Sequence, residues 1–487
     1  MRELNNALAW IDAHRIGRAV EHANAQGRPL YLIVLATKPC YIKLASLVLE
    51  CMALDVPFLL IDSGQHYDPD LTGAKQELGY EHLVAAGLGV RGTLIERAAQ
   101  LAHGVAALTE RLRECGIRIP VVPVVSGDTS TAALFPQFWY FANGMRSVHV
   151  EAGLRSLGPH CPQGWDALDD LSEQLDCSWQ RFRDEPFPET VDTGLASVVS
   201  DLLLAPVQRN VDQLVREDYS ADRIACVGSL SSDAVRLALA LPSSVSIFER
   251  YPRLAVGRWL RVDLHRRENM TPPRLEAVLE GLARLSAQGV PIVLVKTNAL
   301  MGALHQHGLA GLLERAVRLG VAVHELWPRY ADVVGFLASP HCLAVYTDSG
   351  GLQEEANILG VPCITCRFST DRPETVLDAK TNLLLPPLSA DFVHRHLSML
   401  LRRDPIAVWP GLSERSTLYN DAVGRRIAQR LKIYHPPAQL TGSQARFHVK
   451  ASPGAVGDRR VYAKTLSDDW QRTEIADSRT DPAFHGR

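Results

Sequence analysis

The sequence predicts an α/β protein built from two doubly wound, Rossmann-like halves that face each other across a cleft. Three observations point there. The chain has 487 residues, too long for one ordinary hydrophobic core. Short β-branched runs alternate with longer helical patterns, the rhythm of a parallel sheet wrapped in helices. That rhythm restarts after residue 205, which predicts a domain boundary near 205–210.

Taken in order, "MRELNNALAWIDAHRIGRAV" reads as an amphipathic helix. Glu3, Asp12 and His14 interrupt it, so it lacks the apolar centre of a signal peptide. The runs 29–37, 57–64, 119–128 and 146–153 read as buried parallel strands, with helices such as 41–54 and 92–115 between them. In the second half the strands are 202–207, 223–229, 259–266, 290–298, 321–328, 341–350 and 361–368. The expected units are therefore 1–205, 206–411 and a polar tail, 437–487, too poor in apolar periodicity to pack and read as disordered.

Composition narrows the function. Hydrophobic residues make up 46% and charged residues 22%, ordinary for a soluble globular chain. A formal net charge of −3 implies no broad basic face, so nucleic acid is not the expected partner. No apolar run is long enough to span a bilayer. Nine scattered cysteines form no ladder of spacings and suit a reducing, cytoplasmic setting. Cys363 and Cys366 make a lone C-x-x-C, which lacks the second pair a zinc site wants. No metal or cofactor is expected.

Polar clusters fall at the carboxyl ends of the predicted strands, where open α/β sheets bind ligands. At 347–355 a strand ends in Thr-Asp-Ser, a Gly-Gly turn follows and a helix begins. Unpaired N–H groups and partial positive charge at that helix start suit a diphosphate. Ser349 adds a hydroxyl, Gly350 and Gly351 let the ligand approach, and Glu354 or Glu355 can accept from a ribose. At 265–269 "HRREN" offers His265, Arg266 and Arg267 for an anion and proton transfer. "SGDTST" places Asp128, and "HVEAGLR" places Glu151, in the same layer. Carboxylates crowded together have their pKa values pushed apart, which divides acid from base roles.

These motifs together resemble the UDP-N-acetylglucosamine 2-epimerase family. "SGDTSTAA", "HVEAGLRS", "HRREN" and "TDSGGLQEEANILGVP", followed by "TDRPE", occur in order over residues 30–430, with "IKLA" at 42–45 and "GQH" at 64–66. The resemblance implies the GT-B fold, with a last helix, 412–432, crossing back to complete the first domain. It implies candidate catalytic roles for Asp128, Glu151, Glu189 and His265. It also implies UDP contacts from Lys38, Lys43, Arg266, Ser349, Gly350, Gly351, Glu355 and Arg372. The implied substrate is UDP-GlcNAc or a related UDP-sugar, and the expected assembly is a homodimer.

The sugar side departs from the family pattern. Its G-T-R-P-E loop is Ala36-Thr37-Lys38-Pro39-Cys40 here, which keeps a charge but not the guanidinium fork. Its P-E-E-x-N-R is Pro188-Glu189-Thr190-Val191-Asp192-Thr193. An insertion, 157–185, separates Glu151 from Glu189 and carries Trp165 and Trp179. Leu168, Leu171 and Leu175 predict a short amphipathic helix there, packed at the cleft, whose removal should spare UDP binding. Three readings follow: an epimerase, with or without release of the free sugar; a UDP-sugar-dependent transferase whose second small-molecule substrate sits under the insertion; and a non-catalytic UDP-sugar binder.

Overall fold

The computed structural model describes residues 8–65, 72–183, 185–241, 246–413 and 418–436. The tail expected at 437–487 lies outside the described residues, as does His66 of the "GQH" motif. Strands β1 (Trp10–Ile11), β2 (Leu30–Leu35), β3 (Phe58–Asp62), β4 (Val84–Gly87), β5 (Val121–Ser126) and β6 (Ser147–Val150) come first. A small hairpin follows, β7 (Leu157–Pro159) and β8 (Trp179–Arg181), then β9 (Ser200–Ala205) and β10 (Ile224–Cys226). Leaving out the hairpin, these form one eight-stranded sheet in the order β1-β4-β3-β2-β5-β6-β9-β10, parallel except at the edge strand β1. Strands β11 (Trp259–Asp263), β12 (Ile292–Lys296), β13 (Ala322–Glu325), β14 (Cys342–Thr347), β15 (Cys363–Thr365) and β16 (Asn382–Leu384) build a second, all-parallel sheet.

The second sheet runs β13-β12-β11-β14-β15-β16, the doubly wound 3-2-1-4-5-6 order. The first repeats that order from β2, with β10 added at one edge and β1 at the other. Each sheet has one switch point, where the order reverses: between β2 and β5 in the first, between β11 and β14 in the second. Strand β2 is buried along all six residues, as a strand covered on both faces must be.

Two expectations differ from the structure. β9 and β10, expected to open the second half, close the first sheet, so the second sheet starts only at Trp259. Rhythm cannot mark that junction, because a β-α-β alternation continues unchanged as the chain passes from one sheet to the next. Trp10–Ile11 is a strand, and the first helix begins at Ala13, with the Asp12 side chain accepting from Arg15 N–H at 2.9 Å. An N-cap carboxylate at that point fixes the helix start and frees the preceding residues to pair with β4.

The last helix, expected at 412–432, spans only Val423–Ile433, since Pro410–Leu412 is a 3-10 turn and 418–422 are not helical; it returns to the first domain. Tyr31 OH on β2 donates to Leu431 C=O at 2.7 Å, and Gly424 N–H donates to Asp233 Oδ2 at 2.7 Å. A Cβ on Gly424 would lie 2.7 Å from Ser46 Oγ and 2.8 Å from the Ser46 carbonyl carbon. Only glycine lets this helix lie so close to the helix Lys38–Ala53.

Candidate active site

The two switch points face each other. After β2 the chain turns into the helix Lys38–Ala53, whose second turn carries Lys43 inward; its side chain is 8% exposed. Lys43 Nζ lies 2.5 Å from Glu151 Oε1, at the end of β6, and 2.6 Å from Glu354 Oε2, on the helix Gly350–Leu359 after β14. This lysine joins the domains. Glu151 has φ of +64°, a left-handed conformation that costs a non-glycine residue about 1–3 kcal/mol and clusters at functional sites. Glu354 is held from four sides. Ser229 and Ser231 hydroxyls donate to it at 2.9 Å each, Lys43 pairs with it, and Arg372 Nε lies 3.3 Å away.

The network continues through Arg372 to Asp371, at 3.1 Å, and Asp371 also receives Arg367 at 2.6 Å. Arg266 Nη2 lies 3.7 Å from Asp371, and its Nη1 lies 2.9 Å from Glu189 Oε1. An unbroken line of alternating charges therefore runs from Glu151 to Glu189 across the cleft. Arg266 Nε, Arg367 Nη2, Ser369 Oγ and Glu189 Oε2 are buried in it without a hydrogen-bond partner among the described residues. Buried polar atoms that lack partners are what a polar ligand would satisfy.

Asp348 organises the loop after β11. Its carboxylate accepts from His265 N–H at 3.0 Å, Arg266 N–H at 3.1 Å and Asn269 Nδ2 at 2.9 Å. His265 Nδ1 lies 3.4 Å from Asp348 and 3.7 Å from Asp263. Ser349 caps the facing helix, accepting from Leu352 N–H at 3.4 Å. A Cβ on Gly350 would meet Asp371 Oδ2 at 2.7 Å, so any larger residue would have to displace the buried carboxylate from the helix start. Glu355 accepts from Tyr330 OH at 3.0 Å.

Burial and these partners set the proton affinities. Burial raises Glu151, and Lys43 only partly offsets it. Burial also works to raise Glu354, yet Arg372 and Lys43 outweigh it and bring Glu354 down to about 2. The two acids share one lysine, and Glu354, with its added guanidinium and serines, keeps the charge. Burial raises Glu189 against the pull of Arg266, pushes Asp192 to about 7 beside Ser130, and pushes Glu355 to about 7. Burial would lower His265, but the Asp348 and Asp263 carboxylates more than reverse it, so its pKa is raised.

Of the residues singled out in the sequence, Lys43, Glu151, Glu189, Arg266 and Arg372 meet in one network, and His265 adjoins it. Asp128 follows β5 and shares the field of Glu189 and Asp192. Lys38 opens its helix, and Ser349, Gly350 and Gly351 form the facing helix start. Sequence reasoning assigned no role to Asp348, Asp371, Ser229 or Ser231, and gave Glu354 only a share in the ribose contact. "TDSGG" did contain the signal for Asp348, an acid where a strand ends opposite an N–H-rich loop. Nothing in "VGSLSS" marks its serines.

The insertion differs from its expectation. Its described residues hold no α-helix but two short 3-10 turns, Trp165–Ala167 and Leu171–Leu175. Asp170 caps the second turn and its side chain pairs with Arg403, so local capping and a tertiary anchor override the helical period. Nor does the segment stay with the first domain. Leu157 and Thr370 exchange both backbone hydrogen bonds, at 2.9 and 2.8 Å. Gln174 donates to Leu384 C=O at 3.1 Å and accepts from Leu384 N–H at 2.9 Å, as an added strand residue would. Leu171 enters the second domain's core, and Trp165 packs edge-on against Phe368. The segment is a strap from β6 to the second domain, anchored beside Asp371 and Arg372. Replacing 159–184 by a short Gly/Ser linker should therefore weaken the UDP-dependent rise in Tm as well as turnover. A trimmed protein with the full UDP shift would show that the strap does not shape the nucleotide site.

Two doubly wound sheets with facing switch points, and a buried array of acids and guanidiniums between them, define a protein of the GT-B class. The family model described as UDP-N-acetylglucosamine 2-epimerase matches residues 181–432, just over half of the sequence, and the chain belongs to that family, whose activity is an isomerase one. The UDP-N-acetylglucosamine 2-epimerase of Methanocaldococcus jannaschii is 26% identical over 368 residues, covering 72% of this chain and 87% of that protein. The enzyme of the same name from Bacillus subtilis is 27% identical over 322 residues, covering 65% of this chain and 73% of that protein. The crystal structure of the M. jannaschii enzyme in complex with UDP-GlcNAc and UDP matches with a TM-score of 0.67 at 23% identity, over 83% of this chain and 99% of that one. At that identity the likeness speaks for the fold.

Proposed function

We propose that the protein is a UDP-N-acetylglucosamine 2-epimerase that works by elimination of UDP and inversion at C2. The observation that carries this reading is the buried charge line joining Glu151 to Glu189 through Lys43, Glu354, Arg372, Asp371 and Arg266. It sets two exchangeable acids at opposite ends of one anion-binding cleft, as a proton taken from one face of a sugar carbon and returned to the other requires. The diphosphate would sit at the helix start formed by Ser349, Gly350 and Gly351, with Lys38, Arg266 and Arg372 balancing its charge. Glu355 would accept from the ribose. His265, held by Asp348 and Asp263, would donate to the departing diphosphate and stabilise its developing charge. Glu151 would exchange the C2 proton on one face. Glu189 and Asp128 would serve the other.

The sequence alternatives of transfer and of binding alone receive no support from the strap, whose Leu171, Gln174 and Trp165 pack on the second domain. Assembly as a homodimer in the cytoplasm is the expectation carried from the family, in keeping with nine free thiols.

Incubation with UDP-GlcNAc in D2O, followed by NMR, tests the reading. UDP-ManNAc or free ManNAc carrying deuterium at C2 is the expected product. UDP release without C2 exchange would point to transfer or simple hydrolysis and overturn the mechanism. UDP alone should also protect the fold. At a hundredfold excess over the dissociation constant, mass action supplies about 2.7 kcal/mol, and Ser349→Ala with Glu355→Ala should remove most of that gain. No shift in the wild type at saturating UDP would move the nucleotide site elsewhere.

A further inference from the structure

The strap carries two thiols at its neck. In the hairpin, Leu157 stands opposite Arg181, Gly158 opposite Gln180 and Pro159 opposite Trp179. The ladder runs one step further, since His160 N–H donates to Ser178 C=O at 2.7 Å; at the other end Phe182 N–H donates to Ser156 C=O at 2.9 Å. Hydrogen-bonded and non-hydrogen-bonded pairs alternate along an antiparallel ladder. Pairs 156/182 and 160/178 are of the first kind, so Cys161 and Cys177 form the next pair of the second kind. Such a pair holds its Cα atoms about 4.5 Å apart, within the span of a disulfide.

The side chains agree with the register. Burial first, and then the neighbouring Cys177 sulfur, push the Cys161 thiol up to about 11. Cys177 Sγ also lies 3.6 Å from Glu173 C=O. Both residues are partly exposed and both are free thiols. Between them the chain holds every anchor that Gln174, Leu171, Asp170 and Trp165 make to the second domain.

We propose that Cys161 and Cys177 are a redox-sensitive pair whose oxidation to an intramolecular disulfide latches the strap onto the second domain. With glutathione disulfide as oxidant, the Cys177 thiolate attacks one glutathione sulfur and expels a glutathione thiolate. Cys161 then gives up its proton and attacks Cys177 Sγ, expelling the second glutathione. One S–S bond forms in the protein, the oxidant's S–S bond breaks, and two electrons pass to it. The ring so closed shortens the excursions open to the docked turn, so its contacts reform faster than they open. Nothing in this step depends on the epimerase reading, and its test uses no substrate.

The full chain is equilibrated in glutathione buffers from fully reduced to fully oxidised, quenched with an alkylating agent and mapped by mass spectrometry. The expected result is a peptide cross-linked between Cys161 and Cys177 that dithiothreitol reverses. Amide hydrogen exchange at Thr370 and Leu384, whose N–H groups the strap holds, should slow about tenfold in the oxidised protein. Cys161→Ser and Cys177→Ser should each keep the reduced exchange rate in every buffer. Separate alkylation of both thiols across the series, glutathione adducts without the ring, or a ring that leaves Thr370 and Leu384 exchange unchanged would each overturn the proposal.

Discussion

Lys43→Met should lower the unfolding free energy by about 3–5 kcal/mol, read from the denaturant midpoint at neutral pH. That is the usual cost of removing one partner from a buried ion pair, because the charge left behind has neither water nor counter-charge. Here the variant leaves Glu151 without an ion-pair partner among the described residues and takes one of two cations from Glu354. Lys43 also ties the first domain to the second, so the two should separate earlier in denaturant. A change below about 1 kcal/mol would mean that the buried line is not held together at Lys43. The wild type carries a pH signature of the same feature. Glu354 is brought down to about 2 from an ordinary 4.5. A depressed carboxylate contributes its full stability above the unfolded value and loses it as pH falls. The Glu354 contribution should therefore be complete above about pH 4.5 and fade as the pH drops toward about 2.

His265→Ala should cut turnover by about 10²–10⁴-fold, the range for general acid–base groups, with little change in Tm. Its side chain is 41% exposed, while its backbone N–H, which the variant keeps, is what Asp348 holds. The raised pKa of His265 fixes the sign of the pH effects. Its charged form persists above the ordinary value of 6.5, so its contribution to stability is complete below 6.5 and is lost as pH rises through the folded-state value. The same group should give the wild-type rate an alkaline limb that the variant lacks. Full activity in His265→Ala would remove it from the mechanism. Loss of folding would make it a structural residue.

The legible parts of this molecule were those where chemistry and topology coincide in a short stretch of chain. His265, Glu151 and Ser349 each stand where a β-branched run stops, which places them at the binding end of a sheet from the sequence alone. What could not be read were contacts made by residues far apart. Glu354 looks like any acid on a helix face until Lys43, Ser229, Ser231 and Arg372 close around it. The end of the first sheet is invisible for a related reason, since β9 and β10 have the same sequence character as the strands that follow. In the insertion, leucine spacing predicts a helix, but Asp170 and the reach of Gln174 to Leu384 decide the backbone instead. Local propensity yields there to partners that lie some 200 positions away, as the separation of 210 between Gln174 and Leu384 records.

The returning helix Val423–Ile433 bears on how the protein is made. Tyr31 finds its hydrogen-bond acceptor 400 residues later, at Leu431. Ile427, Ala428 and Leu431 cover apolar surface on a domain whose strands are all synthesised by residue 226. On the ribosome, the second domain emerges whole before that cover exists. The first half to be translated is thus the last to be finished, and its uncovered face is what a nascent chain must keep from sticking until residues 423–433 have emerged.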